Sequence, residues 1–491
     1  MRMPTNDLIS PKTGQRLKVA LTVPNMAWAE WDESSRWRFI PYNICLLAAV
    51  VKERCSVRVI DANAEGMSEE QFAAALRDYG PDIVGVTVLM DQYGPSGHRA
   101  ASCAKSVSRD ITVVMGGVYA TMNTQQVLED TNIDYVVGGE GEYVFADLLA
   151  ALYARAPMPQ TGVAFRDAGG VTVDGGHAPL IEDLDSLPLP SYDLVDFLSY
   201  VSAEPKRRHV DSPSLYPYAR ILTSRGCPFG CAFCQVESIH GRKFRARSAE
   251  NVLDEIQWLR GEYGIRAVIF DDDNLFTDKG RAADIFRGMI KRSLVMPWVS
   301  IGTPVFRLDR GMVDLMKESG CEYIDLAIES GTHRVLKEII GKPVKLDHAV
   351  EMASYARNKG IFVAANFIIG FPTETWEEIR ETVRFAEEVN VDYVKIFVAI
   401  PLRHTRLWNL CVETNSFRKG FTPDGARWNE GQIETDEFTA RDLSILRAYE
   451  WDRINFATPE KRKRIAQRMH IGESELDEIR RKTRAAAARE R

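Results

Sequence analysis

The chain has 491 residues, 45% hydrophobic and 27% charged, a globular composition that is too apolar for a largely disordered protein and long enough for roughly three domains. Lysine plus arginine total 62 against 69 acidic residues, a net charge of -7. The balance gives no electrostatic case for a nucleic-acid or anionic-membrane partner and leaves small molecules or proteins as substrates.

The N-terminus MRMPTNDLISPKTGQRLKVAL has no apolar h-region, and no uninterrupted apolar run of about 18 residues occurs later. The expected location is cytoplasmic. Eight cysteines are too few for a disulfide scaffold in so long a chain, and a reducing compartment keeps them as thiols or metal ligands.

Residues 17–155 alternate continuous apolar runs (LKVALTV, SVRVIDA, PDIVGVTVLM, ITVVMGGV, DYVVGG) with helical stretches such as EEQFAAALRDYG. Continuous runs predict parallel strands covered on both faces, hence an α/β, doubly wound Rossmann-like domain. Such sheets bind ligands beyond the carboxyl ends of their strands. Those ends carry Gly116-Gly117 and Gly138-Gly139, where a missing Cβ admits a bulky ligand; tight turns alone are the other reading.

Residues 156–218, rich in Pro, Gly and Asp, read as a linker with a small hairpin. Between 219 and 410 six β-type runs begin at Ala219, Ala267, Trp298, Tyr323, Phe362 and Tyr393. Helical patterns separate them, as in AENVLDEIQWLR, where Val252, Leu253, Ile256 and Leu259 share one face. This predicts a partial (β/α)6 barrel with its site in the loops after the strands. Residues 411–491 read as mixed, then helical, and the terminal arginines as a solvated helix.

The distinctive chemistry is Cys227-Pro-Phe-Gly-Cys231-Ala-Phe-Cys234, which opens the loop after the first barrel strand. Three close thiolates favour a soft metal. The lack of a fourth local Cys or His suits an iron-sulfur cube with one iron open to a ligand. A zinc site completed by His240 or a distant cysteine, and three unligated thiols, are the alternatives.

With Phe233 before the last cysteine, this loop resembles that of the radical S-adenosylmethionine (SAM) enzymes. The resemblance implies that Cys227, Cys231 and Cys234 hold a [4Fe-4S] cluster whose open iron chelates SAM. Further matches follow at successive strand ends. Asp271-Asp272-Asp273-Asn274 resembles the segment beside the methionine amino group, although an acidic strand end is also a common helix N-cap or solvated turn. Glu329-Ser330-Gly331 resembles the segment contacting the ribose or carboxylate, and Asn366-Phe-Ile368-Ile-Gly370-Phe-Pro372 the fifth strand near adenine. The implied SAM contacts are Phe233, Asp272, Asp273, Glu329, Ser330, Ile368 and Gly370. Arg403-His404 departs from the usual Pro-Gly of the last strand's loop.

In the same domain order, residues 17–410 resemble the cobalamin-dependent members of that family, class B methyltransferase-like. The implied cobalamin contacts are Thr87, Gly116, Gly117, Gly138 and Gly139. The segment VPNMAWAEWDESSR contains no histidine, so a histidine ligand to cobalt is not expected. A domain that has lost cobalamin also fits that segment. By resemblance, the reaction moves a methyl group from SAM through cobalamin to an unactivated carbon or phosphorus of a small-molecule substrate, a biosynthetic intermediate. An external flavodoxin- or ferredoxin-type donor supplies electrons. The alternative is rearrangement, cyclisation or oxidation without methyl transfer. His209, His240, His333 and His404 are read as surface residues before substrate contacts. Trp408, Trp428 and Trp451 are expected in the core, as are Cys321 and Cys411.

Overall fold

The computed structural model describes residues 7–29, 39–201 and 209–488. Two compact units divide after Tyr200, inside the stretch expected as a linker.

In the first unit, β1 (Lys18–Val23), β2 (Ser56–Asp61), β3 (Ile83–Thr87), β4 (Thr112–Gly116), β5 (Tyr135–Val137), β6 (Val163–Arg166) and β7 (Thr172–Asp174) form one sheet, in the order β2-β1-β3-β4-β5-β6-β7. The first five are parallel, and β6 and β7 add to the edge antiparallel. The hairpin expected in residues 156–218 is therefore part of this sheet rather than a free connector, because Val163 and Ala164 are buried in its two cores. The 2-1-3-4-5 order reverses direction between β1 and β3, so a crevice opens beyond Val23 and Thr87. Local signals set the helices. Ser68 and Gln71 form a capping box ahead of the helix Glu69–Tyr79, which Gly80 ends at φ 63°.

In the second unit, β8 (Tyr218–Ile221) is followed by a short antiparallel pair, β9 (Ser224–Arg225) and β10 (Arg245–Ala246). Then come β11 (Ala267–Phe270), β12 (Trp298–Thr303), β13 (Cys321–Glu329), β14 (Phe362–Ile369) and β15 (Tyr393–Val398). β8 and β11 to β15 make a six-stranded parallel sheet in simple sequence order, as the six β-type runs predict.

Alternation along β14 separates the faces. Phe367 meets Phe385 of the helix Trp376–Glu388 on the outer side, ring centroids 6.2 Å apart. Phe362 and Ala364 point inward, into a cluster with Val299, Tyr323, Phe456, Ile465 and Met469. The C-terminal helices Pro459–Met469 and Glu473–Ala488 thus contribute to the inner core near the strand starts, leaving the strand ends for the site. The basic tail is only partly a solvated face, since Arg480 and Arg484 both pair with Asp452. No helix among the described residues is long and apolar enough to cross a membrane.

Candidate active site

The cysteine loop is clamped from several sides. Gly226 has φ 83°, and a Cβ there would lie 2.3 Å from the Lys243 carbonyl oxygen, so only glycine fits. Its N–H donates to Asp273 Oδ2 at 2.9 Å, and the same oxygen lies 2.8 Å from His240 Nδ1. Ala232 N donates to Ile340 O at 2.9 Å, and Leu407 N donates to Ala232 O at 2.8 Å. Gln235 Nε2 donates to Arg403 O at 3.0 Å, so the chain after β15 buttresses the loop with its backbone despite the unusual Arg403-His404. Phe233 faces Phe371 at 6.5 Å, and Phe229 meets Phe306 edge-on at 4.8 Å.

All three cysteines are half-buried free thiols. Burial pushes the Cys231 thiol up, opposed by the charge of Lys342, and takes Cys234 to about 12. Such thiols stay protonated until a metal displaces the proton. Among the described residues no three Cys, His, Asp or Glu side chains close around one ion. A cube takes each thiolate on a separate iron.

The acidic segment after β11 divides its work. Asp271 binds Arg220 through two bonds, at 2.9 and 2.7 Å. Asp272 Oδ1 accepts from Thr223 N at 3.1 Å, Thr223 Oγ1 at 2.7 Å and the Ser224 hydroxyl. Burial nonetheless raises its carboxyl to about 6. Asp273 holds Gly226 and His240. Among the described residues Asp272 Oδ2 and Asn274 Oδ1 are buried acceptors without partners, and Asn274 Nδ2 lies 3.8 Å from Cys227 Sγ. Unfilled acceptors on this segment, one of them on the residue next to Cys227, suit the ammonium group of SAM.

At the end of β13, Glu329 is buried at φ 79°, a strained value for a residue with a Cβ. Its carboxylate accepts from Lys342 Nζ at 2.7 Å, each side chain 7% exposed. Ser330 turns away from the strand ends, its hydroxyl 3.0 Å from Thr382 Oγ1. Gly331 is required by packing, since a Cβ would sit 2.6 Å from that of Phe385. Asn366 and Ile368 point into the interior and stay partly exposed. Gly370, at φ 87°, lies against Leu443.

Sequence reasoning missed Glu374 and Lys342. Glu374 is buried, and Oε2 accepts from Gly370 N at 2.7 Å and Phe371 N at 3.0 Å. Burial pushes its carboxyl up to about 8. Its only sequence signal is its position four residues after Gly370. Lys342 carries none, because a tertiary turn brings it to Glu329. Of the aromatics expected in the core, Trp408 packs on Phe417 and Trp451 bonds Tyr393, but Trp428 is 43% exposed. Cys321 and Cys411 are buried.

In the first unit Thr87 and both glycine pairs stand at the ends of β3, β4 and β5. Asn43 Nδ2 donates to Thr87 Oγ1 at 3.1 Å. Gly117 and Gly139 have φ 90° and 82°, and a Cβ on Gly117 would lie 2.5 Å from Val88 O, so the backbone itself demands these two. Gly116 and Gly138 differ. A Cβ would meet only Val137 O at 3.5 Å and Gly176 O at 3.4 Å, ordinary contacts. At these two positions the packing of the fold does not by itself demand glycine.

Residues 35–149 match the B12 binding domain, and residues 221–386 the Radical SAM superfamily. The chain belongs to the cobalamin-dependent radical SAM enzymes, whose cofactors are a [4Fe-4S] cluster, SAM and cobalamin. It is 33% identical over 413 residues to an uncharacterized methyltransferase of Pyrococcus horikoshii, covering 83% of this chain and 85% of that one. Identity to the cytidylyl-2-hydroxyethylphosphonate methyltransferase of Streptomyces wedmorensis is 29% over 457 residues, covering 84% of each. Among solved structures, the cobalamin-dependent SAM radical enzyme OxsB with aqua-cobalamin and SAM superposes with TM-score 0.72 at 16% identity, over 96% of this chain and 72% of that chain. The radical SAM methyltransferase TsrM from Kitasatospora setae gives 0.64 at 19%, over 77% and 72%. These two share the fold.

Proposed function

We propose that the protein is a cytoplasmic enzyme transferring a methyl group from SAM, by way of cobalamin, to an unactivated carbon or phosphorus of a small-molecule biosynthetic intermediate. A flavodoxin- or ferredoxin-type protein serves as reductant. The observation that carries this reading is the three-cysteine loop, clamped by backbone bonds from Ile340, Arg403 and Leu407, with unfilled acceptors beside it. When bound, the cluster supplies the electron that splits SAM and the corrinoid carries the methyl group.

The chain's own residues bind and orient. Cys227, Cys231 and Cys234 hold the cluster, and Asp273 keeps the loop in shape through Gly226 and His240. Asp272 Oδ2 and Asn274 Oδ1 take the SAM ammonium, while Glu329 with Lys342 bounds the site from β13. Ile368 and Phe233 supply apolar surface for adenine. Ser330 and Gly370 act through packing, given their bonds to Thr382 and contact with Leu443. Thr87, Gly116, Gly117, Gly138 and Gly139 form the cobalamin cradle.

The test is anaerobic reconstitution with SAM labelled at its methyl group, a reductant and candidate substrates, reading label in product together with 5'-deoxyadenosine. Label in product supports methyl transfer. Deoxyadenosine without labelled product leaves rearrangement, cyclisation or oxidation, an outcome in keeping with the anaerobic magnesium-protoporphyrin IX monomethyl ester cyclase of Rubrivivax gelatinosus, 28% identical over 385 residues.

A further inference from the structure

Several inward-facing side chains of the second sheet are incompletely buried, and Tyr218, Tyr393 and Trp451 border the inner core. Along β15, Tyr393, Lys395 and Phe397 are partly exposed while Val394, Ile396 and Val398 are buried. Asn366 and Ile368 on β14 and Tyr218 and Arg220 on β8 are likewise partly exposed.

Most charges in this interior are matched. Lys395 Nζ lies 2.6 Å from Asp325 Oδ2 and 3.1 Å from Asp211 Oδ2, and Arg220 is held by Asp271. Arg447 is not matched in this way. It lies on the helix Ala440–Asn455, one turn after Leu443, which contacts Gly370, and one turn before Trp451, whose Nε1 donates to Tyr393 Oη at 2.9 Å. Asn455 fixes the same helix by accepting from Val394 N at 2.7 Å and donating to Val394 O at 2.8 Å. This helical stripe packs on β15, so Arg447 stands beside Tyr393. Arg447 is half-buried, and among the described residues its Nε, shut off from solvent, has no hydrogen-bond partner and no carboxylate pairs with the side chain. Burial lowers its pKa, opposed only by Tyr393.

A guanidinium has five donors in a planar fork suited to an oxyanion, and shielding one without an acceptor is costly. Tyr393 accepts from Trp451, which leaves its O–H free to donate to the same ligand. We infer that Arg447, with Tyr393, is the substrate-recognition site of this enzyme, and that the substrate carries an anionic oxyacid group, a carboxylate or a phosphonate or phosphate. This inference rests on the methyltransferase reading only in calling the ligand a substrate. The positive side chains Lys395 and Arg220, already neutralised, are not the anion site.

The test uses anaerobic holoenzyme and ligand-observed NMR titrations with methylphosphonate, propionate and the neutral control propionamide. One or both anions should bind at least tenfold more tightly than propionamide, about 1.4 kcal/mol, and which one does separates the phosphorus from the carboxylate class. Arg447→Met should erase that preference, and Arg447→Lys should keep part of it. Equal binding of all three probes to the wild type, which needs no variant to fold, overturns the inference, as does an anion preference unchanged in folded Arg447→Met. Iron and corrinoid content are measured on every preparation. Protein that binds the anion but never incorporates the cofactors refutes the enzymatic reading and leaves the anion site standing.

Discussion

Replacing Glu374 by glutamine should make the barrel more resistant to rising pH. In the wild type this buried carboxyl caps Gly370 N and Phe371 N, and its Oε1 has no partner among the described residues. Burial raises its pKa from 4.5 to about 8. A folded-state pKa above the unfolded one means the folded chain holds the proton longer. The stabilising contribution is complete below pH 4.5 and is lost as pH climbs towards about 8. The loss runs at about 1.4 kcal/mol per pH unit, or roughly 2 to 3 kcal/mol over two units inside that window. Glutamine does not titrate and retains an acceptor oxygen, so its own offset is independent of pH. Urea unfolding of both proteins at several pH values between about 5.5 and 7.5, followed by tryptophan fluorescence, reads the difference in stability. That difference should shift in favour of Glu374→Gln by the stated amount as pH rises. A flat difference would show that Glu374 is ionised in the fold, and the reasoning from burial would be wrong.

Changing Cys227, Cys231 or Cys234 to alanine should abolish bound iron in anaerobic protein, whereas Cys321→Ala should leave iron content intact because that thiol is buried away from the loop. Gly116→Val should keep the fold and lose corrinoid, since its Cβ meets only an ordinary contact. Gly117→Ala should destabilise the first unit by roughly 1 to 3 kcal/mol, because its backbone is left-handed and its Cβ would strike Val88 O. Corrinoid content with thermal unfolding separates the two, and a Gly116→Val that binds corrinoid normally defeats the cradle assignment. Asp273→Ala removes the acceptor of Gly226 N and the partner of His240, about 1.5 to 3 kcal/mol for a bond to a charged group. The expected outcome is lowered iron occupancy, with no change in corrinoid binding.

Several features were legible before any coordinates because they depend on local spacing. Continuous apolar runs separated by amphipathic helices identify parallel strands, and the cysteine spacing marks a candidate metal loop. Positive φ at Gly117 and Gly139 agrees with the tight-turn reading of the two glycine pairs. Side-chain roles were less legible. Asp272, Asp273 and Ser330 read alike as polar strand ends, yet two of the three spend bonds on holding backbone or loop, and Ser330 faces a helix. Their direction depends on which neighbour arrives. The hairpin at Val163 looked like linker because its Pro- and Gly-rich flanks mask two residues that complete a core.

Fold class and the six parallel strands of the second sheet were thus written in the linear pattern, since periodicity and short-range spacing are properties of neighbours in the chain. The pairing of Glu329 with Lys342, the burial that lifts Glu374, and the arrival of Arg447 beside Tyr393 were decided only on folding. Each joins groups on different elements. Desolvation and charge compensation depend on what surrounds a group in space, and no spacing rule along the chain encodes that.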